Sequence, residues 1–264
     1  MKPLSLRHCL GSPLIFLLLA QNVLGAESVT FSSYGVDKNN LPLTLEGIIS
    51  TPQGRGRFPG VVLLHGSGGI RARRDADWVK RLTGWGYVTL QVDSFGPRHT
   101  TPAEVIYHAS KVEHEDRAKD AHGALDYLAK QPYIDPGRIA VMGWSHGGLS
   151  TIVAVLESYG PIRFKAAVAF YPYCDRSLDW VNAPLLILTG QSDDWCPAWL
   201  CSQMVPTGHA RHEVILKIYP NAYHDFDWAG LDKKVKGHRV KFDAKATEDS
   251  ILQVKRFLSR YLSH

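Results

Sequence analysis

A serine stands at the centre of the glycine-flanked sequence Gly143-Trp-Ser145-His-Gly147. The apolar run 139–142 before it predicts a strand, and residues 146–156 after it have helical spacing. A tight turn between a strand and a helix holds a serine hydroxyl clear of the sheet, at the positive end of the helix dipole. This context predicts that Ser145 is a nucleophile, although an ordinary glycine-rich turn is the alternative.

A serine hydroxyl is a weak nucleophile, so it needs a base and an acid that orients the base. Asp193 and Asp194 follow one predicted strand, and His224 follows the last predicted strand. Because active sites of α/β proteins gather at the carboxyl ends of the strands, we expect Ser145, Asp193 and His224 to meet there. We prefer Asp193 because it is the first loop position that could turn back toward the sheet. Asp194 could instead hold the loop by accepting backbone N–H groups.

The sequence contains 12 histidines, so position along the chain has to select the base. His209 and His212 precede the last predicted strand, and His238 lies in the polar stretch 232–245, which we interpret as a solvated loop. His224 lies at the carboxyl end of the strand that comes after the acid, which makes it the preferred base. A capping or solvated role in the loop is the alternative for His224.

Attack of a serine on an acyl group places negative charge on the carbonyl oxygen, which needs preorganised N–H donors. The backbone N–H of His146, directly after the serine, is the first predicted donor. The glycine-rich loop 65–69 offers the second, with Ser67 N–H preferred and Gly68 N–H as the alternative. The loop has no Gly-Lys-Ser/Thr sequence, so it does not predict a phosphate site.

A second group of titratable residues lies in the predicted helix 102–130. They show no His-Glu-x-x-His pairing, so we interpret them as a solvated helix face and predict no metal site. These residues are His108, Glu113, His114, Glu115, Asp116 and His122.

The remaining sequence predicts a single α/β domain. Six apolar, β-branched runs predict strands at 61–64, 87–92, 139–142, 166–171, 185–189 and 214–219. Helical spacing lies between or after them at 75–83, 102–130, 146–156 and 247–262. This alternation predicts a mostly parallel sheet with helices on both faces. Two earlier segments, 28–36 and 43–50, alternate polar and apolar residues and predict an antiparallel edge hairpin.

The N-terminal residues are typical of a secretory signal peptide. Lys2 and Arg7 precede the apolar run 14–20, and small residues precede Glu27. The alternative is an uncleaved anchor, but seven uninterrupted apolar residues fall far short of the roughly 20 that span a bilayer. We therefore predict a signal peptide of residues 1–26 and a domain of residues 27–264 that is periplasmic or secreted and not held in a membrane.

Three cysteines, Cys174, Cys196 and Cys201, follow the predicted signal peptide in a compartment that would permit disulfides. Three cysteines cannot all pair. A bridge from Cys174 to the loop that contains the other two would join neighbouring strand ends, and we favour Cys174–Cys201. No Cys-x-x-Cys spacing occurs, so these thiols do not predict a zinc site.

Composition limits the classes of partner. The chain is 45% hydrophobic and 21% charged, which is typical of a globular protein and excludes a disordered one. Its net charge is +5, and residues 27–264 alone carry 28 basic against 25 acidic residues. So small and dispersed an excess predicts no nucleic-acid partner.

Several segments together resemble the dienelactone hydrolase family of the α/β-hydrolase superfamily. They are Gly-Trp-Ser-His-Gly-Gly at 143–148, Gly-Gln-Ser-Asp at 190–193 and Tyr-His-Asp-Phe at 223–226, with support from 93–98 and 120–143. The resemblance covers roughly residues 60–257. It implies a Ser145–Asp193–His224 triad, a single α/β-hydrolase domain, no organic cofactor, and hydrolysis of carboxylic esters or lactones.

The chain departs from the founding members of that family in two ways. Those enzymes use a cysteine nucleophile and act inside the cell, whereas this chain has Ser145 and a predicted export signal. Exported relatives carry one cysteine after a Tyr-Pro pair and another after the acid loop. Cys174 and Cys201 are similar to that pair, which favours their pairing.

We therefore predict a serine hydrolase that cleaves a small-molecule ester or lactone through an acyl-enzyme, acting as a monomer or homodimer. One alternative is a serine peptidase of the prolyl-oligopeptidase type, although the chain is too short for the propeller or cap domain of those enzymes. A second alternative is a non-catalytic exported binding protein on the same fold. The presence of the serine, acid, histidine and glycine loop together argues against a binder.

Overall fold

The structure, a computed structural model, describes residues 25–37, 39–107, 112–206 and 210–263. Eight strands form one sheet in the order β1-β2-β4-β3-β5-β6-β7-β8. Their bounds are β1 Ala26–Val36, β2 Pro42–Ser50, β3 Phe58–Leu64, β4 Val88–Asp93, β5 Ile134–Trp144, β6 Ala166–Phe170, β7 Leu185–Gly190 and β8 Val214–Tyr219. Strand β2 runs antiparallel to β1 and β4, and every other neighbouring pair is parallel. The predicted edge hairpin and the mostly parallel sheet are confirmed.

Helices cover both faces of this sheet. Their bounds are α1 Arg74–Gly84, α2 Pro102–Tyr107, α3 His114–Ala129, α4 His146–Leu156, α5 Ala198–Met204 and α6 Ala244–Leu262. Helices α3 and α4 pack on one face, and α1 and α6 pack on the other. The fold is therefore the predicted single α/β domain with two helical layers.

Strand β3 contributes side chains to two hydrophobic cores, one on each face of the sheet. Val62 and Leu64 belong to the hydrophobic cluster beneath α3 and α4, whereas Val61 and Leu63 belong to the cluster beneath α1 and α6. Alternate side chains of a strand point to opposite faces, so a continuous apolar run fits a strand that is covered on both sides. The strand ends at Leu64, so the loop 65–69 that follows it lies at the carboxyl edge of the sheet.

The predicted helix 102–130 is wrong as one element, because the structure has α2 and α3 there. Glu113 begins α3 with a capping box in which its side chain accepts the Asp116 N–H and the Asp116 side chain accepts the Glu113 N–H. Such a box satisfies N–H groups that have no partner inside a helix, so it marks a true start. Residues 108–111 lie outside the described residues.

The predicted solvated loop 232–245 is also wrong. Its first part forms a two-stranded hairpin of β9 Asp232–Val235 and β10 His238–Lys241. Lys236 and Gly237 make the turn with φ of 51° and 86°, the backbone that a tight hairpin requires. The last helix begins at Ala244, three residues before its predicted start, because Asp243 caps it by accepting the Ala246 N–H.

A disulfide joins Cys174, which follows β6, to Cys201 in α5. Cys196 is a free thiol and is buried. The predicted signal peptide, residues 1–26, lies outside the described residues except at its last two positions. Among the residues that the structure describes, no helix has the length and apolar character needed to cross a membrane.

Candidate active site

Ser145 occupies a strained turn between β5 and α4. Its φ of 54° and ψ of −116° are rare for a residue with a side chain, and its N–H donates to the Phe170 carbonyl at 2.9 Å. A Cβ at Gly143 would lie 2.2 Å from the Gly147 oxygen, and a Cβ at Gly147 would lie 2.2 Å from the Leu64 oxygen. Glycine is therefore required at both flanks, and the turn places the Ser145 hydroxyl at the start of α4.

The structure brings Ser145, His224 and Asp193 into one hydrogen-bonded chain. The Ser145 Oγ lies 2.9 Å from His224 Nε2, and His224 Nδ1 lies 2.7 Å from Asp193 Oδ2. His224 is only 2% exposed and Asp193 only 3%. Strands β5, β7 and β8 deliver these side chains to the same sheet edge, as the parallel topology leads one to expect.

Asp193 also performs the loop-holding role that was predicted for Asp194. The Asp193 Oδ1 accepts the N–H groups of Trp195 at 2.9 Å and Cys196 at 2.8 Å, which leaves Oδ2 for His224. Asp194 is exposed and lies 3.5 Å from His238 Nδ1. The prediction for Asp194 is wrong because Asp193, the first residue of the turn, already accepts the backbone N–H groups of the loop.

The surroundings of His224 favour its protonated form. Burial by itself would lower the pKa of the imidazole, but the Asp193 carboxylate and the nearby Cys196 raise that pKa well above its ordinary value. Aromatic rings of Tyr171 and Trp195 pack against the imidazole at centroid distances of 4.7 and 5.3 Å. The carboxylate can therefore stabilise an imidazolium in a place from which water is largely excluded.

The β9–β10 hairpin, which the sequence reading missed, covers His224. Val240 of β10 forms a bridge with His224, and Lys241 donates its N–H to the His224 carbonyl at 3.0 Å. The signal that could have revealed it is the Lys-Gly dipeptide between two four-residue runs, although the many charges there obscure the alternation.

Behind the site lies a buried carboxylate that sequence reasoning also missed. Asp227 accepts the indole N–H groups of Trp78 at 2.7 Å and Trp144 at 3.0 Å, and the Tyr171 hydroxyl at 2.6 Å. Burial raises the pKa of this carboxyl, an effect that the Arg74 guanidinium opposes. Asp227 thus ties the segment after β8 to residues of α1 and β5.

The two residues predicted to supply the oxyanion donors, His146 and Ser67, line a cavity together with Ser145. His146 begins α4, and Ser67 lies in a turn closed by a 3.1 Å bond from Gly69 N–H to the Gly66 oxygen. In the part of the chain that the structure describes, Ser67 N–H donates to no protein acceptor. Its N–H is therefore available to a bound molecule.

Two cavities meet at Ser145, and Ser67 and Trp195 line both. One, of about 240 Å³, has a polar lining that includes Arg71, Arg74, Asp225 and Lys233. The other, of about 290 Å³, is bordered by the apolar and aromatic side chains of Val105, Ile106, Leu149 and Tyr173 and also by polar ones, those of His114, His146 and Lys236. The nucleophile therefore borders two cavities of mixed lining, and the charged side chains are concentrated in the first.

The histidines of α3 do not form the predicted solvated face. His114 packs on His146 at a ring distance of 4.1 Å, and His122 is 1% exposed and bonds the Ala154 oxygen at 2.9 Å. The prediction fails because α3 packs against the sheet on one side and against the neighbouring helix α4 on another, so that two of its sides are covered. His108 of the same predicted group lies outside the described residues.

One group of three side chains within the described ranges has donors suited to a metal ion. It consists of Asp193, Cys196 and His224, whose ligand atoms lie within 4.8 Å of one another. Two of its members already bond each other at 2.7 Å. The arrangement therefore serves the Ser145 chain of hydrogen bonds without requiring an ion.

Known proteins share this fold. A putative dienelactone hydrolase from Klebsiella pneumoniae superposes with a TM-score of 0.69 and 19% identity, covering 89% of this chain and all of that one. An acylaminoacyl peptidase from Pyrococcus horikoshii gives a TM-score of 0.63 and 18% identity, covering 90% of this chain but 42% of the peptidase. At such identities the likeness concerns the fold alone.

The chain is also similar in sequence to known proteins. An uncharacterised protein of Mycobacterium tuberculosis is 27% identical over 214 residues, which cover 72% of this chain and 69% of that protein. The sequence profile of the dienelactone hydrolase family matches residues 45–262, and this range contains every residue of the site described above. The chain therefore belongs to the dienelactone hydrolase family.

Proposed function

We propose that the protein is a serine hydrolase that cleaves carboxylic esters or lactones. The observation that carries this proposal is the hydrogen-bonded chain from Ser145 through His224 to Asp193, with the serine on a strained turn at a helix start. Strain of this kind persists only where the surrounding structure maintains it, and it gathers at reactive sites.

The reaction begins when Ser145 Oγ attacks the carbonyl carbon and its proton passes to His224 Nε2. Asp193 holds the imidazole in orientation and stabilises the imidazolium, while the N–H groups of His146 and Ser67 hold the oxyanion. The intermediate collapses, the bond to the alcohol breaks, and the leaving oxygen takes the proton from His224. Water then gives a proton to His224 and attacks the acyl-enzyme, which releases the acid and restores Ser145.

The two cavities offer the substrate both apolar and polar surfaces. The apolar walls around Leu149 and Tyr173 suit an alkyl or aryl group, and the polar space beside Arg71 and Lys233 suits a group that accepts hydrogen bonds. A small ester or lactone with one apolar side is therefore the class of substrate that we propose.

Hydrolysis of p-nitrophenyl butyrate by residues 27–264 tests the proposal. Ser145→Ala should reduce turnover to the background rate, because no other hydroxyl stands on the turn. Cys196→Ala is the matched control, since Cys196 also borders His224 but is not on the turn, and it should keep most of the activity. Activity that survives Ser145→Ala and vanishes in Cys196→Ala would contradict the proposal.

A serine peptidase is the second candidate, because peptidases such as the Pyrococcus enzyme share the fold. The same triad could cleave an amide if the leaving amine were protonated by His224. Parallel assays with an aminoacyl p-nitrophenyl ester and the matching p-nitroanilide separate the two. We expect turnover of the ester only, and comparable kcat/KM values for both would favour the peptidase.

A further inference from the structure

The buried cation Arg117 touches both sides of the predicted oxyanion hole. It lies in the first turn of α3 and has no exposed surface. Its Nη1 donates to the His146 Nδ1 at 2.9 Å, and its Nη2 donates to the His65 carbonyl at 2.7 Å. His146 provides one predicted donor, and His65 begins the loop that carries the other, Ser67.

Within the described ranges, no carboxylate oxygen forms an ion pair with this guanidinium. Asp120, one turn further along α3, acts on Arg117 only from a longer distance, because its carboxylate is held by Arg98 through two bonds of 2.8 and 2.9 Å. The Phe95 ring covers it at 5.3 Å, and its Nε has no partner. A buried charge that lacks a direct ion pair destabilises a fold by about several kcal/mol, so its presence beside a reactive site indicates a role in that site.

The histidines around Arg117 are neutral, so the guanidinium, and not an imidazole, carries the positive charge next to the predicted oxyanion hole. Burial and the nearby Arg117 hold the pKa of His65 and of His146 well below the ordinary value, and they lower the pKa of His114 to about 4. Burial lowers the pKa of Arg117 itself to about 9, which leaves it protonated at neutral pH. A neutral His146 accepts the Arg117 N–H at Nδ1.

We propose that Arg117 is a positioning residue that fixes the two sides of the oxyanion hole relative to each other and adds a positive field behind them. This inference rests on the proposed function, since it concerns the charge that develops on an acyl oxygen. The guanidinium is rigid and planar, and its two bonds constrain the His65–Ser67 loop against the start of α4. Donors that are already in place need no reorganisation when the charge appears, which is why their positions matter to the rate.

Replacing Arg117 should slow the chemical step more than it weakens substrate binding. Arg117→Met should lower kcat about 100-fold, the effect of losing one oxyanion donor, with KM changed less than about threefold because the substrate cavities keep their walls. Arg117→Lys keeps a charge but cannot reach both partners with a planar fork, so its kcat should fall between those of Arg117→Met and the wild type.

A control separates this role from general weakening of the fold. His122 lies on the same helix, is equally buried, and bonds α4 at Ala154, away from Ser145. His122→Phe should reduce stability without lowering kcat. If the kcat of both His122→Phe and Arg117→Met falls in proportion to the loss of stability of each variant, the effect of Arg117 is merely structural and the proposal is wrong.

Affinity for butaneboronic acid gives a readout that does not require turnover. The boron accepts the Ser145 oxygen, the serine proton passes to His224, and the tetrahedral adduct places an oxygen in the predicted hole. Calorimetry should give a Kd for Arg117→Met that is at least about tenfold weaker than the wild-type Kd, in step with kcat. Equal Kd values for Arg117→Met and the wild type would overturn the role of Arg117 but leave the proposed function standing. A wild type that neither binds the boronate nor hydrolyses esters contradicts the proposed function and this inference together.

Discussion

At the scale of single residues, the state of His224 controls the proposed reaction. The imidazole must be neutral to accept the Ser145 proton, yet Asp193 raises its pKa by stabilising the charged form. Activity should therefore be lost as the pH falls through that raised value. The same carboxylate that makes His224 a stronger base thus sets the acid limit of the enzyme.

Asp193→Asn tests this coupling. The variant keeps the size of the side chain but removes the charge, so kcat should fall by about 10⁴-fold and the acid limb of the kcat/KM profile should move to lower pH. Assays of ester hydrolysis across a pH series measure both effects. Asp194→Asn, at the exposed neighbouring position, should behave as the wild type, and a comparable loss in that variant would contradict the assignment of the acid.

Sequence reasoning succeeds for the residues that stand at ends of predicted strands. Ser145, Asp193 and His224 could be placed together because a parallel sheet brings such ends to one edge. Arg117 and Asp227 could not, because their contacts join elements 29 and 83 residues apart in the chain, and no local pattern encodes those pairings.

At the scale of elements, the turn around Ser145 depends on close backbone approach. Gly147→Ala would put a methyl group 2.2 Å from the Leu64 oxygen and 2.5 Å from the His65 oxygen, so a helix and a strand would have to separate. We expect the free energy of unfolding to fall by about 1–3 kcal/mol or more in urea denaturation, together with loss of turnover.

Gly84→Ala is the matched control for that substitution. Gly84 ends α1, and an added Cβ would meet no atom within 4 Å. The change should leave turnover intact and stabilise the fold by up to about 1 kcal/mol, because alanine favours helix. Equal destabilisation by both substitutions would mean that steric contact at the turn is not the cause.

The β9–β10 hairpin offers a second test at this scale. Gly237 has a φ of 86°, so Gly237→Ala should strain the turn by about 1–2 kcal/mol. Because Lys233 and Val235 line the polar cavity, we expect KM to rise several-fold. Gly56→Ala, at a positive φ in the loop before β3, should leave KM unchanged, and a similar rise there would exclude a specific role for the hairpin.

Helix and strand types were predictable where apolar periodicity is strong, as in β5 and α4. The errors fall where charge interrupts the pattern. The hairpin has seven charged or histidine residues among its ten positions, and the boundary between α2 and α3 is marked by a capping box rather than by proline or glycine. Tertiary contacts with His224 stabilise the hairpin, and those contacts are not visible in a local window.

At the scale of the whole molecule, the Cys174–Cys201 disulfide joins the chain after β6 to α5 across 27 residues. Closing a loop of that length restricts the unfolded chain, which corresponds to roughly 3–4 kcal/mol in the entropic description. Changing both cysteines to serine should lower the urea midpoint and make it insensitive to reductant. Cys196→Ser should keep the reductant-sensitive transition of the wild type, and loss of that sensitivity would contradict the pairing.

The central claim is that Ser145 carries the acyl group during turnover. The most direct measurement is peptide mass spectrometry after reaction with a p-nitrophenyl alkylphosphonate, which leaves a stable adduct on an activated nucleophile. We predict release of one equivalent of p-nitrophenol and a phosphonyl mass on the peptide that contains Ser145, with neither in Ser145→Ala. An adduct on Cys196 or on any other residue, or an undiminished rate in Ser145→Ala, would contradict the account.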